Sequence, residues 1–285
     1  MADLLAVSRP LSWINTAYPF AAAYLLVARD VDVALVVGTL FFLIPYNLAM
    51  YGVNDVFDYA SDLANPRKGG VEGALVDPRR HRAVLVAAIV ACAPFVVVLV
   101  ALGTPASWGV LAVSLFAVVA YSAPPLRFKE VPVLDSLTSS THFVSPAVYG
   151  IVLAGGVPDA GAVVVLVAFF LWGVASHAFG AVQDVVPDRE AGISSIATAL
   201  GAARTVRVAL AAWTAAGLLM LTTGVPGAWS ALLAVPYLAV AAPYAHVSDE
   251  ESARANRGWR RFLWINYASG FVVTMILIVF AARTA

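Results

Sequence analysis

The sequence predicts an all-α, polytopic membrane protein, a bundle of nine transmembrane helices. Hydrophobic residues fill 61% of its 285 positions and charged residues only 12%, against roughly a quarter charged in a soluble domain. The apolar residues fall into runs long enough to cross a bilayer. The basic residues collect on alternate connections between those runs, as they do on the cytoplasmic side of membrane proteins.

The nine expected spans are 11–28, 33–52, 83–102, 106–121, 133–154, 160–182, 206–223, 228–246 and 262–282. The first is opened by Ser8-Arg9-Pro10 and followed by Arg29-Asp30, so it lacks the small-residue site of a cleavable signal. Asn15 and Asn47 lie inside the first two spans, where polar side chains are expected to face the bundle interior. The third holds the lone Cys92, which excludes a disulfide framework. The fourth is the shortest. The fifth opens with Asp135-Ser136-Leu-Thr138-Ser139-Ser140-Thr141-His142, unusually polar for a membrane helix, and the sixth carries His177. Pro236 and Pro243 predict a kink in the eighth. Trp259, Trp264 and Tyr267 suit an interfacial girdle beside the ninth.

Of the 17 Lys and Arg residues, only Arg29 and Arg283 follow odd-numbered spans, leaving fifteen at the amino terminus or after even-numbered ones. That bias places the amino terminus in the cytoplasm and the carboxyl terminus outside. The whole chain, 1–285, reads as a single membrane domain, with four spans between its two acidic motifs suggesting a degenerate tandem of four-helix units.

Those motifs carry the chemistry. Asn54-Asp55-Val-Phe-Asp58-Tyr-Ala-Ser-Asp62 follows about twenty uncharged residues. Its aspartates stand three and four apart, on one helical face, where they repel unless a cation sits among them. Gln183-Asp184-Val-Val-Pro-Asp188-Arg-Glu-Ala-Gly192 repeats the geometry after the sixth span. Oxygen ligands of this kind suit Mg²⁺ completed by substrate phosphates. A solvated acidic helix end explains one such cluster; two at equivalent depth favour a metal site.

Asn65-Pro-Arg67-Lys68-Gly69-Gly70 adds a basic, glycine-rich loop, fit to hold a diphosphate. It matches no nucleotide-binding fingerprint. Tyr121-Ser-Ala-Pro124-Pro125-Leu-Arg127-Phe-Lys129 turns the chain after the fourth span and supplies two more cations. Arg9 is a further candidate for a phosphate, and His142 for a direct role beside a default place as an interior hydrogen-bonded histidine. Metal-binding acids, a cationic ring and a greasy surround imply ionisation of an allylic diphosphate and transfer of its carbocation to a lipophilic acceptor. Tyr46, Tyr51, Phe57 and Tyr59 are candidates to face that cation, although packing accounts for most aromatics in such a chain.

NDxxDxxxD at 54–62, DxxxDxxxG at 184–192 and the Tyr-Ser-x-Pro-x-x-x-x-Lys loop resemble the UbiA superfamily of intramembrane prenyltransferases. That resemblance implies a nine-helix bundle capped by cytoplasmic loops. It implies Mg²⁺ ligation by Asn54, Asp55, Asp58 and Asp62 at one site and by Asp184 and Asp188 at another. Arg67, Lys68 and Lys129 become expected diphosphate ligands. Ser8-Arg-Pro-Leu-Ser-Trp-Ile-Asn-Thr-Ala-Tyr-Pro-Phe20, Phe42-Leu-Ile-Pro-Tyr-Asn47, Asn65 to Ala74 and Leu137-Thr-Ser-Ser-Thr-His-Phe143 further resemble the actinobacterial lycopene elongases of C50 carotenoid biosynthesis. Those enzymes imply dimethylallyl diphosphate as donor and lycopene as acceptor. Carotenoid-pathway proteins are the protein partners to expect.

Two other readings stay open. A related enzyme acting on a quinone precursor or a tetrapyrrole differs only in its acceptor. A cation-coupled transporter would place its charges near the bilayer midplane, whereas these aspartates lie at span ends. Nucleic acid is not an expected partner, because the basic residues are spread over loops beside acidic ones.

Overall fold

The computed structural model describes residues 2–59, 63 and 75–284. Among these the chain is helical, with no strand. Seven helices are long and apolar enough to cross a membrane, or eight if a bent pair, Leu4–Ser12 with Ile14–Ala28, is one span. The fifth expected span is a helix, Leu134–Leu153, but its polar opening keeps it out of that set, so the described residues do not reach nine apolar spans. The molecule is a multi-pass membrane protein.

The long helices are α1 (Ile14–Ala28), α2 (Val33–Leu43), α3 (Pro45–Phe57), α4 (His81–Leu102), α5 (Pro105–Ser122), α6 (Leu134–Leu153), α7 (Ala160–Val182), α8 (Ala202–Met220), α9 (Ala234–Ala241) and α10 (Asn256–Thr284). They form two compact units, Met1–Phe128 with Thr141–Pro158, and Lys129–Ser140 with Asp159–Ala285. The division runs through α6.

In the first unit, the chain bends by 56° before α1. Arg9 there adopts a left-handed backbone (φ 49°) ahead of Pro10. The second expected span is two helices: Pro45 opens α3 without an N–H, breaking the ladder after α2. The carbonyls freed at the break are answered from inside. Asn47 donates to the Phe42 and Leu43 carbonyls at 2.8 and 3.1 Å, and Thr16 donates to Phe42 at 2.7 Å. Asn47 is thus buried, as expected, for a local reason: lipid offers no partner to a freed carbonyl. Asn15 is exposed instead. It sits in the first turn of α1, next to the bend, where the helix turns Thr16 and Ala17 inward. Phe20, Phe41, Phe42, Tyr46 and Tyr149 form the centre of this unit, with ring centroids 4.9–6.0 Å apart. Ile89, Val90 and Val97 on α4 are largely exposed, as side chains facing lipid are.

In the second unit, Phe179, Trp213, Tyr237 and Phe262 make the core, with Trp213 stacked on Tyr237 at 5.6 Å. The eighth span is a 3-10 segment (Gly227–Leu233), the short α9 and a further 3-10 turn (Ala242–Tyr244). Its prolines remove the donors that a continuous α-helix needs. Trp259 is not part of an exposed girdle: it stacks on Phe262 at 4.7 Å and packs against Gly180. Trp264 and Tyr267 remain outside, 77% and 50% exposed.

Candidate active site

In the first unit the acidic motif occupies the last turn of α3. Asp55 lies in that turn and Asp58 is the C-cap, with the Asp58 N–H bonded to the Asn54 carbonyl at 2.9 Å. Both side chains are nearly buried, 1% and 5% exposed. Carboxylates at the carboxyl end of a helix stand at the negative pole of its dipole. Burial removes the water that would otherwise screen them. Such a pair needs cations, and two are at hand. Arg9 donates to Asp55 Oδ1 at 2.7 Å, and its guanidinium lies 4.2 Å from the Tyr51 ring centroid. Arg127, with a left-handed backbone (φ 41°), stands 3.9 Å from Asp58 Oδ1 and donates to the Phe57 carbonyl at 3.3 Å.

Asn54 completes this set. Its amide donates to Asp58 Oδ2 and to Ser122 Oγ, the latter at 3.0 Å. Next to Ser122, the Tyr121 ring meets His142 edge-on at 5.4 Å. The unit thereby gathers Arg9, Asn54, Asp55, Asp58, Tyr121, Arg127 and His142 through direct or adjacent contacts. Ser122 was missed from the sequence. Its signal was its place in the Tyr-Ser-x-Pro turn, one residue past a recognised candidate. Asp62, Arg67 and Lys68 lie outside the described residues.

In the second unit Asp184 follows the end of α7 and caps a six-residue helix, Val185–Glu190, in which Asp188 is half-buried. The loop is closed by the Ile193 N–H on the Asp188 carbonyl at 2.8 Å and by Gly192 with φ 70°. Gln183 is tied to Asn256 and to the Gly180 carbonyl. Arg189, inside the motif, is spent on structure, holding Asp249 at 2.6 Å and the Thr198 carbonyl at 2.9 Å. Asp135 is structural too: it accepts the Ser136 N–H at 2.7 Å and the Ile196 N–H at 2.8 Å, fixing the segment just after the motif. His177 Nδ1 lies 3.0 Å from Ser136 Oγ. Lys129 is half-buried in a single 3-10 turn, Phe128–Glu130. Among the described residues, no three His, Cys, Asp or Glu side chains gather on one point.

A helical membrane bundle with paired aspartate motifs at helix ends defines a class of intramembrane enzyme. The UbiA prenyltransferase family model matches residues 16–282, and the chain belongs to that family. It is 50% identical over 276 residues, 96% of each chain, to a lycopene elongase/hydratase of Corynebacterium glutamicum. It is 55% identical over 279 residues to a C(50) beta-cyclic carotenoids biosynthesis protein of Dietzia sp.; the match takes in 98% of this chain but 65% of that longer one. Among solved structures, a UbiA homologue of Archaeoglobus fulgidus bound to DMAPP and Mg²⁺ superposes with a TM-score of 0.68 at 16% identity, over 94% of this chain and 98% of the other. A homologue from Aeropyrum pernix gives 0.62 at 22% identity, over 91% and 97%.

Proposed function

We propose that this prenyltransferase moves C5 units from dimethylallyl diphosphate to the two ends of lycopene. The observation that carries the reading is the 50% identity to a lycopene elongase/hydratase along 96% of both chains. The site is the pair of acidic motifs, at the cytoplasmic face, with the amino terminus inside and the carboxyl terminus outside. The distribution of the 17 basic residues supports that orientation.

The donor set fits Mg²⁺. The carboxylates of Asp55 and Asp58 and the amide oxygen of Asn54 offer hard oxygen atoms at the negative end of α3, which is what a small, hard dication accepts. Asp62 would join them at this first site, and Asp184 and Asp188 would hold a second Mg²⁺. When bound, Mg²⁺ supplies charge neutralisation to a departing diphosphate. Arg9, Arg67, Lys68, Arg127 and Lys129 hold and orient that diphosphate through charge-assisted hydrogen bonds.

The allylic C–O bond breaks, and its electron pair leaves with pyrophosphate. The terminal alkene of lycopene then supplies the electrons for the new C–C bond, and the positive charge passes to a tertiary carbon of the carotenoid. That cation loses a proton to the pyrophosphate, or takes up water whose extra proton then passes to the pyrophosphate. Thr141 and His142, in the polar belt 136–142, handle that proton or water. Tyr51 and its neighbours shield the cation and exclude stray water.

The test is to incubate membranes with labelled dimethylallyl diphosphate and either lycopene or an aromatic acceptor. Mass analysis should find one and two C5 additions to lycopene and none to the aromatic compound. Labelled aromatic product with untouched lycopene would overturn the assignment of acceptor.

A further inference from the structure

The outward stripe of α10 changes character along its length. Arg257, Arg261, Trp264, Tyr267, Phe271, Met275 and Ile278 recur every three or four residues, which puts them along one side of the helix, and Arg260 lies on the same side three residues after Arg257. Cations come first, then two interfacial rings with centroids 6.1 Å apart, then exposed aliphatic and aromatic side chains. Arg254, Arg257, Arg260 and Arg261 line a hollow of about 530 Å³ that also reaches Trp264.

Arg254 is held by Glu251 at 2.9 Å. Arg257, Arg260 and Arg261 are exposed and make no hydrogen bond or ion pair among the described residues. Three unpaired guanidinium groups on one side of a helix repel one another, and their planar forks match phosphate oxygens. A topological signal needs the charges, but not a hollow, a ring step and an apolar track in register with them. Among the described residues the first acidic motif does not draw on these arginines: its cations are Arg9 and Arg127.

We propose that this stripe binds one anionic phospholipid. Its phosphate sits in the arginine hollow, its glycerol region lies level with Trp264 and Tyr267, and an acyl chain runs along Phe271, Met275 and Ile278. The order of chemistry along α10 is the order along a phospholipid, which favours a lipid over a free phosphate ion. Aromatic rings mark the interface depth at which this match occurs, and basic clusters beside membrane helices attract anionic headgroups.

The test uses the full-length protein in nanodiscs of phosphatidylcholine containing a minor share of phosphatidylglycerol, with retained lipid counted by native mass spectrometry. The wild type should retain phosphatidylglycerol in preference to phosphatidylcholine. The variant Arg257→Gln/Arg260→Gln/Arg261→Gln should lose that preference, with retention falling about tenfold or more. An equal preference in the variant, or none in the wild type, would overturn the site. A second arm needs no variant. Short-chain phosphatidylglycerol should displace the retained lipid from the wild type, while inorganic phosphate and pyrophosphate at the same concentration should not. Displacement by the free anions as effective as by the short-chain lipid would make this a site for soluble phosphate and sink the lipid assignment.

Discussion

Arg9 joins two environments through one side chain. Its guanidinium covers the Tyr51 ring and pairs with a carboxylate, Asp55, whose side chain is fully buried. Removing one partner of such a pair strands the other charge, which costs about 3–5 kcal/mol. Arg9→Ala should therefore shorten the thermal inactivation half-life of the purified enzyme sharply, by about 3 kcal/mol in stability. Arg9→Lys keeps the charge but not the planar fork and should cost less than half as much. A half-life unchanged in Arg9→Ala would show that the pair does not hold this end of α3. Asp58→Ala tests the chemistry instead: turnover should fall at least about a hundredfold while the protein still accumulates in membranes. The aspartates were legible in the sequence because acids are rare in an apolar chain. Their partners were legible only as types. Arg9 stands 46 positions from Asp55, and no local pattern ties the two. Asn15 and Asn47 make the same point: one amide in an apolar span is exposed and the other repairs a helix break, and only the position of Pro45 and the neighbouring bend separates them.

At the scale of the element, both acidic motifs sit where a long helix ends, at the close of α3 and just past α7. The helix dipole disfavours acids there, and a cation restores the balance. The return from the second motif is held by one acidic side chain. Asp249 accepts the Ala202 N–H at 2.6 Å at the start of α8 and pairs with Arg189. The Ala202 N–H first, and then Arg189, hold its carboxyl below the usual carboxylate range despite partial burial. The folded value lies under the unfolded one, so this stabilisation is complete above the unfolded value of about 3.9 and disappears as pH falls through the lower folded value. Asp249→Asn should be less stable than the wild type near neutral pH, and inactivation half-lives of the two should converge as pH falls through the lowered folded value. A gap that stayed constant across that range would mean that the charge of Asp249 contributes nothing. Gly201 belongs to the same turn: its φ is 82° and an added Cβ would lie 3.1 Å from Asp249 Oδ1. The spacing of apolar runs found these helices, but not the breaks within them. The 3-10 segments around Pro236 and Pro243 were legible as a kink, whereas the bend at Arg9 was not, since a left-handed arginine has no signature of its own. The polar opening of α6 was visible as an anomaly. Its cause, Asp135 bound to the Ile196 N–H, depends on a contact 61 residues away.

Across the whole molecule, each compact unit carries one acidic motif, Asp55 and Asp58 in the first and Asp184 and Asp188 in the second. The sequence presented these motifs as equivalents because each follows an apolar span; the first begins inside the last turn of α3 and the second lies just past α7. Whether the units serve one reaction is a question about free energies. Groups that act together on one transition state are strongly non-additive, since losing either already removes what both supply. Independent sites, by contrast, multiply their effects. If both motifs act on the same diphosphate, Asp58→Ala and Asp184→Ala should each lower the rate of lycopene prenylation by a similar large factor. The double variant should then be little slower than the worse single one. Single-turnover rates in membranes, normalised to the amount of folded protein, would measure this without interference from product release. A double variant whose loss is the product of the two single losses would separate the motifs, leaving one to catalysis and the other to a task of its own.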